Sequence, residues 1–484
     1  DAVRVNGKEL QVRVVGEGGN LGATQLGRIE FARNGGNICT DAIDNSAGVD
    51  CSDHEVNIKI LFAHIMQKTA MSVEQRNKIL ESMTDNVSEL VLRDNYLQTL
   101  LVRSASSREH YTLPNHLAFM RKLEKAGILD RKIEFLPNDA EIKARDADGK
   151  GLTSPELSVL LAYSKMTLDK DILGSALVED KDFDDLLLAY FPTHLQANYS
   201  NEILSHYLRR EIISNQLANL VVNRAGITFM SRFTDEFNVG IDRIVKAWWM
   251  AYNLLDADSL NHQIEMLDNK INADVQVRLF VGIEKAVERL CRWVLLHITD
   301  LDNSKAIISK FKPQIMSLIK NISTLVSDEN YPEIEVEKRV FIAESVPTHL
   351  AEIVARQSFL AQIVDIIYIA DKHKLSPEIV ADNYFYAGRN LQVDWLRKNI
   401  FLLPRENKWQ SLARSALVSD IYQVYQRLIT IAIERHNCDV RAMIDKSSNR
   451  LEQIQNLLEE LQAYPKLDLA MLSAAIREYI RIIG

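Results

Sequence analysis

Hydrophobic and polar positions alternate from Leu10 to Val15 (LQVRVV), the period-two pattern of a strand, and the stretch runs into the glycine turn Gly16–Gly19. From Thr24 to Arg33 the apolar positions take helical spacing, and Gly35–Gly36 follow where a glycine C-cap belongs. Asn37 to Ile43 (NICTDAI) reads as a second strand. The three together predict a β–turn–α–β unit, the building block of a parallel α/β sheet. Two strands do not make a stable sheet alone. The rest of the sheet is therefore expected upstream of Asp1, or the remainder of the chain supports this end.

Beyond Ser52 the pattern is helical. SDHE, Ser52 to Glu55, and SVEQ, Ser72 to Gln75, read as capping boxes, and Ser154-Pro155-Glu156 places proline at a first helical position. Long amphipathic segments are expected near Glu202–Asn223, Asn272–Ile298, Lys305–Val326, Pro347–Lys372, Lys408–Arg435 and Asp439–Leu461. The charged stretch Asn138 to Thr153, with Gly149 and Gly151, reads as a linker, and Ser327 to Pro332 as a second break. No fixed-period repeat is present, which argues against a solenoid. The expected fold is mainly α: a small, partial, Rossmann-like α/β segment followed by a large all-helical region.

Composition sharpens this division. Nine of the 18 glycines fall within the first 48 residues. The chain has 484 residues, so two to four domains are expected. A net charge of −9 argues against nucleic-acid or anionic-membrane binding. The four cysteines, Cys39, Cys51, Cys291 and Cys438, form no CxxC pair and read as reduced thiols of a cytoplasmic protein. No apolar run approaches the ~18 residues of a membrane span.

Two stretches carry candidate chemistry. GEGGNLG, Gly16 to Gly22, follows a strand and precedes a helix, but its third glycine falls one place late for the dinucleotide fingerprint. Glu17 would repel a pyrophosphate there, and Asp41, about 20 residues on, mimics the ribose-binding acid. A loop at the carboxyl end of a strand is still a place where α/β folds bind ligands. NSAGVDCS, Asn45 to Ser52, reads from the residues alone as a polar turn and N-cap, and as a possible grouping of amide, backbone and hydroxyl around one ligand. Asp50 and His54 are the only members of the following polar cluster that converge at i,i+4 spacing. Two ligands are too few for a zinc site, so no metal site is expected. Trp248, Trp249 and Tyr252 read as helix packing. FPTHLQ (Phe191 to Gln196) reads as a loop, and LRREI (Leu208 to Ile212) as a solvated face.

VVGEGGNLGATQLGRIEFA (Val14 to Ala32) and ICTDAIDNSAGVDCSDHEVNIKIL (Ile38 to Leu61) resemble the large bacterial NAD-dependent glutamate dehydrogenases. The likeness continues through RDNYLQ (Arg93 to Gln98), GLTSPELSVLLAYSKMTL (Gly151 to Leu168), YFPTHLQ (Tyr190 to Gln196), LRREIISNQLANLVVNRAGITF (Leu208 to Phe229) and DLAMLSAAIRE (Asp468 to Glu478). It spans nearly the whole chain, and only the C-terminal portion of the longer family polypeptides. The smaller glutamate dehydrogenases share an EGAN motif, matched by Glu17-Gly18-Gly19-Asn20, and an NAGGVATS motif, matched by Asn45 to Ser52. The departures are Gly19 for Ala, Ser46-Ala47 for Ala-Gly and Asp50-Cys51 for Ala-Thr.

The resemblance implies that Gly18, Gly19, Asn20 and Asn45 bind NAD, with Asn20 and Asn45 beside the nicotinamide and its ribose. It implies that Ser52 binds the side-chain carboxylate of glutamate, and Asp50 then adds an acid close to that anion. The family's catalytic lysine and aspartate and its phosphate-binding loop have no match here, so the chain alone is expected to be inactive. The implied parent interconverts L-glutamate and 2-oxoglutarate with NAD as a cytoplasmic homo-oligomer. The implied domains are residues 1–56, the end of a nucleotide-binding domain; 57–145, helices returning to the catalytic core; and 146–484, a helical domain with a possible division near 327–332. The alternative is a non-catalytic helical scaffold or regulatory protein.

Overall fold

A computed structural model of the chain describes residues 4–326, 331–404, 408–446 and 448–483. It is overwhelmingly helical, and residues 1–232 and 233–484 form two compact units. Ser327 to Asn330 of the expected second break lie outside the described residues.

After a 3-10 turn at Gly7–Glu9 comes the extended segment that the alternation at Leu10–Val15 predicts, but no strand forms among the described residues. One parallel bridge joins Val14 to Asn37. Val15 N donates to Asn37 O at 2.9 Å, and Asn37 N donates to Arg13 O at 2.9 Å. The second expected strand stops at Thr40, and Asp41–Asp44 is a helical turn. The Rossmann-like sheet is thus reduced here to a single parallel contact. The physical reason is that a lone pair of extended segments lacks the neighbouring strands that would extend the ladder.

Between the bridged residues lies α1 (Gln25–Arg33), capped by the Thr24 side chain, which accepts from Gly27 N. It ends through Gly35, whose φ of +88° is the left-handed conformation a glycine C-cap supplies. Helix α2 is the turn Asp41–Asp44, and α3 runs Ser46–Lys68. The capping box expected at Ser52 and Glu55 is therefore absent. Asn45 is the N-cap residue, Ser52 lies inside α3, and Glu55 pairs with Lys59 one turn on. The apolar rhythm of α3 continues N-terminally past Ser52, so the helix begins a turn and a half earlier than the hydroxyl suggests.

Helices α4 (Val73–Ser82), α5 (Thr84–Ser106), α6 (Glu109–Lys125), α7 (Asp139–Ala147), α8 (Ser154–Leu173) and α9 (Asp184–Tyr190) follow. The Ser72/Gln75 capping box forms as expected. Helix α8 starts one residue earlier than expected, at Ser154 behind a Thr153/Glu156 box, so Pro155 is its second residue and not its first. The stretch Asn138 to Thr153 is not a plain linker. Asn138 and Glu141 form a capping box that starts α7. Helix α5 packs on α3 and on α8, so these three elements frame the N-terminal polar segment.

Buried on α6, His116 is only 4% exposed. Burial, then Arg108 and Arg232, hold its imidazole down to about 3. The folded state keeps it neutral, while the unfolded chain takes up a proton below pH ~6.5. Stability is present above that pH and is lost as pH falls. Between pH 7 and pH 5 this residue should remove about 2 kcal/mol from the stability of the first unit. Urea titrations at both pH values should show that loss shrinking by this amount in His116→Leu.

In the second unit the Pro347–Lys372 segment forms two helices, Thr348–Ala355 and Leu360–His373, bent by 77°. No single helix among the described residues is long and apolar enough to cross a membrane. Trp248 stacks on Tyr252 at 5.0 Å within the helix Ile241–Leu254, the packing role that their spacing predicts. Fully buried Asp365 accepts from Trp293 Nε1 (3.1 Å), Tyr384 Oη (2.7 Å) and Gln426 Nε2 (2.9 Å), a satisfied polar core that ties four helices together.

Candidate functional site

The loop from Gly16 to Ala23 is organised by Glu17. Its carboxylate is 6% exposed, accepts from Ala23 N at 2.7 Å and meets Arg28 Nε at 2.5 Å. Arg28, 5% exposed, also reaches Asp41 Oδ1 at 3.3 Å. Leu21 N donates to Asp41 Oδ2 at 3.1 Å. Glu17 and Asp41 are thus ties between loop and helix, which agrees with reading GEGGNLG as something other than a phosphate cradle.

That scaffold leaves the tip of the loop exposed. Gly18 and Gly19 are in solvent, and a Cβ added to either would meet nothing within 4 Å. No packing requirement among the described residues accounts for glycine at these two places. Asn20 follows them, and its Oδ1 accepts from Asn45 Nδ2 at 3.1 Å. Two predicted site residues 25 positions apart are thereby joined.

Helix α3 carries the remaining predicted residue. Asn45, Val49, Ser52 and Val56 recur at spacings of four, three and four, which places them on one stripe. Ser52 is exposed, as are Val49 (67%) and Val56 (52%). Asn45 and Ser52 lie ~10 Å apart along the helix.

Asp50 does not lie on this stripe. It sits roughly 200° round the helix from Ser52, and its carboxylate joins Asp94 of α5 and His54, with ligand atoms within 4.8 Å of one another. The expectation that Asp50 places an acid beside the Ser52 ligand is therefore corrected by helical geometry. Burial, then Asp94 and Asp53, push the Asp50 carboxyl up to about 7. Burial alone draws His54 down to about 4, and its ring stacks on Tyr190 at 4.2 Å. Lys165 of α8 interacts with both acids, and burial pulls its ammonium down to about 7. One His and two carboxylates make a donor set able to take a divalent cation, with the Lys165 amine coupled electrostatically to both acids.

Asp94 and Lys165 were missed in the sequence, yet each leaves a trace there. Lys165 interrupts an apolar stripe of α8 between Leu161 and Leu168, and Asp94 interrupts one of α5 between Val91 and Leu101. Asn95, beside Asp94, donates from Nδ2 to Ile43 O and to Ser46 Oγ, both at 2.9 Å.

Comparison with known proteins gives this geometry a family. Residues 149–480 match the family model described as glutamate dehydrogenase, C-terminal. Residues 1–105 match the bacterial NAD-glutamate dehydrogenase catalytic domain. The chain belongs to the bacterial NAD-glutamate dehydrogenase family. It is 36% identical to the NAD-specific glutamate dehydrogenase of Pseudomonas aeruginosa over 485 aligned residues, 99% of this chain and 30% of that protein. The proteins of the same description from Halomonas elongata and Mycobacterium tuberculosis are 34% and 35% identical, over 99% and 100% of this chain and again 30% of each relative. The chain thus spans about a third of the length of the curated relatives it matches. Within the family the loop tip and the α3 stripe fall inside the catalytic-domain match, and residues 233–480 of the second unit fall inside the C-terminal match.

Proposed function

We propose that this chain is the C-terminal portion of an NAD-dependent glutamate dehydrogenase, whose parent oxidatively deaminates L-glutamate to 2-oxoglutarate and ammonia. The observation that carries the reading is the junction of Asn20 and Asn45 at the head of the α3 stripe that also bears Ser52. The names of the relatives support the reaction and the cofactor.

In this reading the open backbone at Gly18 and Gly19 gives close approach to NAD. Asn45 orients the nicotinamide end of the cofactor, its own amide steadied by Asn20. Ser52, two turns further on, donates its hydroxyl to the side-chain carboxylate of glutamate. NAD, when bound, supplies the hydride acceptor. The chain's own contribution is to bind and orient, because a hydride-transfer lysine and aspartate are matched nowhere in it. Residues 1–56 then complete a nucleotide-binding domain. The exposed Val12 (53%) and Val14 (66%), on one face of the extended segment, suit a face covered by a further layer of the domain. Residues 57–145 return to the catalytic core, and 146–484 form a helical domain for contacts within a cytoplasmic homo-oligomer.

The test compares full-length protein with this chain. The full-length protein is expected to form NADH from glutamate, and the purified 484-residue chain to form none. NADH production by the chain alone would overturn the division of labour. Absence of activity with glutamate in the full-length protein would overturn the reaction.

A further inference from the structure

Asn45 occupies a one-residue joint. Helix α2 ends at Asp44 and α3 begins at Ser46, and between them Asn45 has φ −107° and ψ 29°. A side chain that works from such a joint needs something to hold the joint's angle. Asn95 straddles it: one amide nitrogen donates to Ile43 O on the near side and to Ser46 Oγ on the far side. Both of its N–H donors are spent on the two residues that bracket the joint.

Asn95 is itself well placed to do this. It lies mid-way along α5, whose Val91, Leu101 and Val102 are buried, so the helix offers a fixed platform. A second constraint acts on the Asn45 side chain directly. A Cβ at Gly48 would come within 2.8 Å of Asn45 Oδ1 and 3.0 Å of its Nδ2, so glycine at 48 leaves the room that the amide occupies. Asn20 thus bonds the Asn45 amide, glycine at 48 leaves it room, and Asn95 ties residues on either side of the joint.

We infer that Asn95, through its paired hydrogen bonds across the α2–α3 joint, is a positioning residue for Asn45 and hence for the nicotinamide end of NAD. This rests on the proposal that Asn45 contacts the cofactor. It also gives a role to RDNYLQ, whose Asp94 and Asn95 face α3 from α5.

The experiment uses full-length protein carrying Asn45→Ala, Asn95→Ala, the double substitution and Ser46→Ala. NAD affinity is measured by calorimetry, alongside steady-state KM for NAD and for glutamate and the melting temperature. Loss of two hydrogen bonds is expected to weaken NAD binding about tenfold in Asn95→Ala, with the glutamate KM little changed. The double variant should bind NAD no more weakly than Asn45→Ala, because Asn95 acts only through Asn45. Ser46→Ala, which removes one acceptor, should shift NAD affinity less and in the same direction. It carries the test if Asn95→Ala does not fold. Weakened NAD binding in Asn45→Ala, with normal binding in Asn95→Ala and Ser46→Ala, would overturn the positioning role and leave the Asn45 reading intact. Additive losses in the double variant would also overturn it. Normal NAD binding in Asn45→Ala would overturn the contact on which both depend.

Discussion

Ser52→Asp in the full-length protein is expected to cut kcat/KM for glutamate by on the order of 100-fold or more while the melting temperature stays nearly constant. Ser52 is exposed inside α3 and caps nothing, because Asn45 is the N-cap residue. Its replacement therefore removes no capping bond. Ser52→Ala should accordingly stay within about 0.5 kcal/mol of the parent's stability. If the serine hydroxyl receives the substrate's side-chain carboxylate, an aspartate there sets two anions face to face. Like-charge juxtaposition costs several kcal/mol, and each ~1.4 kcal/mol is tenfold in rate. Asp50 cannot mask the result, since it faces Asp94 and His54 on the other side of the helix. Steady-state kinetics with varied glutamate, together with thermal melts, decide the matter. Near-normal glutamate kinetics in Ser52→Asp would show that the carboxylate binds elsewhere.

Arg28→Ala should loosen the whole Gly16–Ala23 loop. The substitution leaves Glu17, 6% exposed, without its cation, and leaves Asp41 and Asp44 close by. Stranding one member of a buried ion pair costs about 3–5 kcal/mol. A segment held to its neighbour by one parallel bridge has little stability with which to absorb that cost. The expected result is local: amide exchange across residues 15–37 rises sharply, NAD affinity of the full-length protein falls, and the second unit melts as before. Glu17→Leu combined with Arg28→Met should restore most of the protection, because replacing both charges by apolar groups removes the stranded carboxylate. Unchanged exchange in Arg28→Ala would mean that the loop is held by its backbone alone.

Much of the helical architecture was legible in the chain. Amphipathic spacing located the helices Ala273–His297 and Lys408–Arg435 closely, and the box at Ser72 lies where hydroxyl and amide stand three apart. These succeed because periodicity and capping are interactions between residues within a turn or two of one another. The same locality explains the failure at Ser52. Ser–x–x–Glu is equally compatible with a helix start and with two positions inside a helix, and only the continuation of α3 back to Ser46 separates the cases.

The candidate site divides along the same line. Its members on α3, and the odd glycines at 18 and 19, could be named from the order of residues. Their resemblance to a family supplied the expected roles. What the order of residues could not supply is convergence: that Asn20 meets Asn45, that Asn95 clasps the joint from α5, and that Asp50 turns toward Asp94 and Lys165. Those depend on how α3, α5 and α8 pack, and packing joins positions tens of residues apart through burial of apolar faces that many arrangements share. The strands show the converse. Alternation at Leu10–Val15 states a preference for extended backbone, but a ladder needs partners, and the tertiary structure decides that this segment has one parallel bridge and two exposed valines. By itself the sequence determined most of the long helical segments, where several of them start, and which residue types stand at the loop tip and along α3. Only the tertiary structure decided which of those residues face one another, because hydrogen bonds and charge pairs across elements are settled by distance in space.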